Sequence, residues 1–130
     1  MKSDQLITIV LAMAGWSIAY WSLLRRDRIA KKREMRTQYL IEAYRRLESA
    51  GNRHTQSPDD SRKLESAIAD IQLFGSTEQV ELSRDFAVAF STKRSASLDQ
   101  LLELLRRDLR RELDLGEISD RITYLRIIDE

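Results

Sequence analysis

Residues 6–24 read LITIVLAMAGWSIAYWSLL, nineteen positions without an acid or a base. Coiled as a helix they extend about 29 Å at ~1.5 Å per residue, close to the ~30 Å of a bilayer's hydrocarbon layer. A helix is the form that satisfies its own backbone hydrogen bonds where no water is present. Tyr20 and Trp21 fall at the far end, where amphipathic rings favour the headgroup layer, while Trp16 lies deeper. The reading is a transmembrane anchor over residues 1–24. A cleaved secretory signal is the first rival, with Ala12-Met13-Ala14 as a small-x-small site, but a signal places its positive charge before the apolar core and here the charge follows it. A buried helix of a soluble protein is the second, and it needs no such uninterrupted apolar run.

Directly after the apolar run stand Arg25, Arg26, Arg28, Lys31, Lys32, Arg33 and Arg36, with Asp27 and Glu34 as the acids among residues 25–36. This basic juxtamembrane linker helix is expected to fix topology and to meet anionic headgroups, an attraction of about 1 kcal/mol per cation near the surface. The other flank has Lys2 and Asp4. By the positive-inside rule the amino terminus lies outside and the rest of the chain in the cytoplasm. Thr8, Ala12, Gly15, Ala19 and Ser22 recur at spacings of four and three, a stripe of small side chains suited to membrane-helix packing and self-association.

The remaining residues, 37–130, carry 14 Lys and Arg against 18 Asp and Glu, a balance of −4 that the whole-chain value of +1 conceals. That acidity, and the lack of interleaved aromatic and basic residues, argues against nucleic-acid binding. The 130 residues contain no Cys and one His, which leaves no material for disulfides, thiolate zinc sites, a Cys nucleophile or a multi-histidine metal centre. Four Gly and one Pro leave little for glycine-rich phosphate loops.

Periodicity predicts an all-α fold, in which the membrane helix continues into a cytoplasmic bundle of about four helices over residues 37–130, with a short C-terminal tail. Tyr39, Leu40, Ala43, Tyr44, Leu47 and Ala50 recur at helical spacing up to Gly51. Ser57-Pro58-Asp59-Asp60 starts a second helix over 58–74, with Leu64, Ala67, Ile68 and Ile71 inward and Gly75 as a positive-φ stop. Ser76 and Gln79 form a capping box for a third helix, with Val80, Ser83, Phe86, Ala87 and Phe90 inward. Residues 91–96 read as a loop, and Ser97 and Gln100 as a second box. It opens a fourth helix with Leu98, Leu101, Leu102, Leu105, Leu109 and Leu113 on one face, ending near Gly116. The tail, 117–130, is expected to be irregular or briefly helical and packed on the bundle, although Thr123, Leu125 and Ile127 alternate like a strand.

Side chains arranged for chemistry are few. His54 sits in a polar loop beside Arg53 and Thr55 and reads as solvent-exposed. No Gly-x-Ser-x-Gly elbow is present, and Asp59 and Asp60 serve a helix start better than a metal. Arg106, Arg107, Arg110 and Arg111 form a dense basic patch and a candidate partner surface. Glu103 with Arg107, and Asp108 with Arg111, have intrahelical pairing distances. No catalytic residue, metal or cofactor is expected.

Three segments, residues 39–48 (YLIEAYRRLE), 69–80 (ADIQLFGSTEQV) and 104–115 (LLRRDLRRELDL), resemble a family of small bacterial membrane proteins with one N-terminal span and a helical cytoplasmic domain. The resemblance implies a bacterial inner-membrane setting and no particular activity. The functional expectation is a non-enzymatic, single-pass inner-membrane adaptor or scaffold whose cytosolic helices bind a protein partner or another copy. The alternatives are a small-ligand sensor or enzyme with a site assembled from separated helices, or a membrane-active toxin or regulator.

Overall fold

A computed structural model describes residues 2–53, 55–93, 96–119 and 121–127. Among these residues the chain forms four helices and no strand: α1 (Ser3–Ala50), α2 (Pro58–Phe74), α3 (Thr77–Lys93) and α4 (Asp99–Glu112). It divides into two units, Met1–Met35 and Arg36–Glu130.

The first unit is the greater part of α1. Its apolar window is long and apolar enough to cross a membrane, and none of it is buried. The hydroxyls of Thr8 and Ser17 donate to the carbonyls of Asp4 and Met13, each at 2.9 Å, so both polar groups are satisfied within the helix itself.

In the second unit the helices share one apolar core. Leu40, Ala43, Leu47 and Ala50 of α1 enter it with the expected α2 stripe, Leu64, Ala67, Ile68 and Ile71. From α3 comes Phe86, and from α4 Leu101, Leu102, Leu105 and Leu109, with Leu98 just before it. Burying each leucine contributes roughly 1.5–3 kcal/mol, which makes α4 the largest contributor per residue. Leu104 is also buried, whereas Leu113, expected inward, is half exposed because α4 has already ended. At the start of this unit Tyr39 stacks on Phe74 with ring centroids 4.6 Å apart, and Arg46 pairs with Asp70 and donates to Ser66 Oγ at 2.6 Å.

The helix ends follow local chemistry with four departures from expectation. Ser57 and Asp60 form a reciprocal capping box for α2, and Ser76 and Gln79 do the same for α3. Gly75 stops α2 with an ordinary φ of −73°, not a positive one. A glycine is needed there for space, since a Cβ would lie 2.5 Å from Ile71 O. At α4 the second box does not form: the cap residue is Leu98, without a side-chain cap, and its N–H donates to Asn52 Oδ1 at 3.2 Å. The α4 terminus is closed by Asp114, at φ 56°, with Leu115 N bonded to Arg110 O and Asp114 N to Arg111 O. That is the Schellman pattern, two residues before the expected Gly116. α3 runs to Lys93, into the segment read as a loop.

The described tail residues lack regular structure. Ile122, Tyr124 and Arg126 are half-buried while Arg121, Thr123, Leu125 and Ile127 are exposed, so an extended segment lays alternate side chains on the core.

Candidate functional site

The sequence-chosen residues fall into three places. Thr8, Ala12, Gly15, Ala19 and Ser22 are all exposed on α1, and a Cβ at Gly15 would meet nothing within 4 Å. No intrachain packing therefore demands glycine at that position. Arg25, Arg26, Arg28, Lys31, Lys32, Arg33 and Arg36 are likewise exposed on α1. Arg36 also serves the bundle, because its Nε donates to Phe74 O at 2.7 Å and so satisfies a terminal carbonyl of α2, which has no base in its own last turn.

The third place is built on α4. Arg106, Arg107, Arg110 and Arg111 line a cleft of about 350 Å³, closed on its far side by Leu115, Gly116 and Ile118. The helix brings the four guanidinium groups to one end, and the Schellman turn folds the following residues back over them. Arg106 Nη2 donates to Ser119 O and, at 3.4 Å, to Arg121 O. Arg110 Nε and Nη2 donate to Gly116 O at 3.2 and 2.9 Å. The expected pairing within α4 is replaced. Asp108 Oδ2 accepts from Gln79 Nε2 at 2.9 Å, and Arg107 Nε stands 3.8 Å from Asp108 Oδ1.

Gln79 is a residue that sequence reading used only as a cap. It is 3% exposed, its Oε1 accepts from Ser76 N at 2.9 Å, and its Nε2 links α3 to α4. Ser83, the other buried polar side chain among the described residues, donates to Val80 O at 2.8 Å. Among the described residues no buried side-chain N or O lacks a partner, and no group of three acids or histidines gathers as for a metal. His54 lies outside the described residues.

A polar cluster joins Asn52, Asp99 and Tyr124. Asn52 Nδ2 donates to Asp99 Oδ1 at 2.8 Å, and Tyr124 Oη donates to the same oxygen at 2.9 Å. Burial and the bond to Asp99 push the Tyr124 phenol far above its ordinary range, and burial raises Tyr44 as well. At α2 the Ser57 backbone N–H holds the Asp60 carboxyl below its usual range.

Between α2 and α3 lies a second, more apolar groove of about 460 Å³, walled by Leu64, Ile68, Phe86, Ala87 and Phe90, with Ala69 and Glu65 at its edge. Phe86 and Phe90 are stacked at a tilt, 5.6 Å between centroids. In comparisons with known proteins the chain matches no family model, no curated protein and no solved structure.

Proposed function

We propose that the chain is a single-pass bacterial inner-membrane protein, amino terminus outside, whose cytoplasmic helical bundle is an adaptor that holds a protein partner at the bilayer. The observation that carries this reading is the apolar part of α1, none of it buried, with the Thr8 and Ser17 hydroxyls satisfied within the helix and exposed cations following at once. Left in water such a surface would drive aggregation, and lipid is the environment that removes the penalty. The cations after the span favour the cytoplasmic side for the bundle.

Two features support an adaptor over a site of chemistry. The core is apolar, and its buried polar side chains, Gln79 and Ser83, are engaged in holding helices. The α2/α3 groove is sized for one or two apolar side chains of an amphipathic helix, the recognition mode in which a groove takes i, i+3 and i+4 anchors. The small-residue stripe of α1 gives self-association as a second arrangement of the same adaptor.

Topology is tested with Ser3→Cys and Ser91→Cys in intact cells. Labelling of position 3 alone by an impermeant thiol reagent is expected, and labelling of position 91 from outside overturns the orientation. Partner binding is tested with a photocrosslinker at Ala69 in the full chain. A protein adduct lost on Phe90→Ala supports the groove, and no adduct at any expression level removes it.

A further inference from the structure

We propose that the cleft at the C-terminal end of α4 is a binding site for a phosphate-bearing anion. Four arginines line it against two acids, Glu103 and Glu117, so its described lining carries a net positive charge inside a domain that is acidic as a whole. Guanidinium groups are planar forks that match phosphate oxygens two bonds at a time.

Two of the four are held in place before any ligand arrives. Arg106 is tied to the Ser119 carbonyl, and Arg110 grips Gly116 O through two nitrogens. Each guanidinium has five N–H donors, so these bonds leave others to turn toward an oxyanion. Arg107 and Arg111 are exposed at the edge of the cleft. Arg107 Nε stands 3.8 Å from Asp108 Oδ1, an ion pair too long for a hydrogen bond, while Gln79 bonds the other oxygen, Oδ2, so Asp108 does not take up the N–H donors of Arg107. Spacing Arg106 with Arg110, and Arg107 with Arg111, four residues apart sets like charges side by side on the helix, which is unfavourable until an anion bridges them.

The opposite wall suits the rest of such a ligand. Leu115 and Ile118 are each 50% exposed, an apolar face beside a cationic one. A phosphate ester with an organic body fits both walls, whether it is a soluble metabolite or the headgroup of an anionic lipid.

The test uses the full chain in nanodiscs. In phosphatidylcholine discs, inorganic pyrophosphate is titrated by calorimetry. In discs containing phosphatidylglycerol, hydrogen exchange of residues 115–119 reads the headgroup. Two variants accompany the wild type: the double substitution Arg107→Gln with Arg111→Gln, and Gly116→Leu. A Cβ at Gly116 meets nothing within 4 Å, and the backbone there does not have a positive φ, so a leucine adds an apolar side chain at a lining position while keeping every arginine and the Gly116 carbonyl. Saturable pyrophosphate binding, weakened at least about tenfold in both variants, is the expected result and assigns a soluble ligand. Slowed exchange in phosphatidylglycerol discs alone, lost in Gly116→Leu, supports the site with a headgroup as its source. Absence of both responses, or responses equal in the variants and the wild type, overturns the proposal.

Discussion

Gly51→Ala is a one-carbon change with a sign that the packing decides. Gly51 follows α1, and a Cβ built there would fall inside van der Waals contact of Leu98 Cδ1 and 2.6 Å from Leu47 O. Leu98 is 1% exposed and Leu47 fully buried, so neither neighbour has free space to move into. Overpacking of this kind costs about 1–3 kcal/mol. Against it stands the loss of unfolded-chain freedom when alanine replaces glycine, about 0.4–1 kcal/mol in favour of the fold. The backbone at Gly51 does not have a positive φ, so no conformational strain adds to either side. Taking the middle of each range, the net is a destabilisation of about 1.3 kcal/mol, or about eightfold faster opening at ~1.4 kcal/mol per decade. Both tryptophans, Trp16 and Trp21, lie in the other unit, so their fluorescence is blind to this change. Hydrogen exchange of the α4 amides in detergent-solubilised full chain is the suitable readout. Gly116→Ala, where the added carbon meets nothing, is the control and should stay within about 0.5 kcal/mol. Slower α4 exchange in Gly51→Ala would refute the steric reasoning.

Leu102→Ala removes a fully buried side chain and should destabilise the second unit by about 2–5 kcal/mol, measured as the shift in its denaturant midpoint. Asn52→Ala loses the bond to Leu98 N and places alanine at φ 53°, so about 1–3 kcal/mol is expected from cap and backbone together. Asn52→Gly should recover the backbone part, and equal losses in the two variants would argue against that division. Tyr124 has a folded pKa raised above the unfolded value of 10.0. Its contribution is therefore complete below pH 10 and lost as pH rises beyond it. Proteolysis of the tail should accelerate above pH 10, and Tyr124→Phe should flatten that dependence. Asp60 has the opposite sign: its folded pKa lies below 3.8, so the stability it lends α2 is present above that pH and is lost as pH falls below it. Exchange at the α2 amino terminus should rise on acidification, and Asp60→Asn should remove the trend.

What the sequence made legible was what neighbouring residues decide among themselves. The helix start at Ser57 and the capping box at Ser76 join residues three apart; the box at Ser76 forms as read, and the Ser57 cap goes further, closing into a reciprocal box with Asp60. The α2 stripe depends only on the helical period, and it too is buried as read. The second box does not form: the Ser97 hydroxyl accepts from Asp99 N, and Leu98 N is taken by Asn52, 46 positions away, a partner that no local pattern announces. Glycine was also a misleading punctuation mark. At the ends of α1 and α4 the left-handed residue is Asn52 or Asp114, short polar side chains that tolerate that region, with the glycine one or two places off. The cluster of arginines on α4 could be read from composition. The cleft could not, since its other wall depends on the chain reversing at Asp114 and returning past Arg110.

The tail shows why a segment without regular structure still belongs to the fold. The last four carbonyls of a helix lack intrahelical donors, and α1 has no basic residue in its last turn. Here each has a donor: Leu47 O from Gly51 N at 2.7 Å, Ser49 O from Arg53 at 2.6 Å, Ala50 O from Gln56 at 3.4 Å, and Glu48 O from Arg126. The Arg126 guanidinium also pairs with the Glu48 carboxylate at 3.0 Å and lies over the Tyr124 ring. One tail residue thus closes the end of α1, the next inward residue, Tyr124, meets Asp99 in the first turn of α4, and Arg106 and Arg110 hold the tail's first carbonyls. The same side chains that line the cleft therefore fasten the segment that forms its second wall. The proposed anion would use Arg106 donors that Ser119 O leaves open, and, resting on Leu115 and Ile118, would gain from a docked tail. On the proposal above, occupancy of the cleft and docking of the tail would be linked in free energy, each altering the other's equilibrium by the same factor.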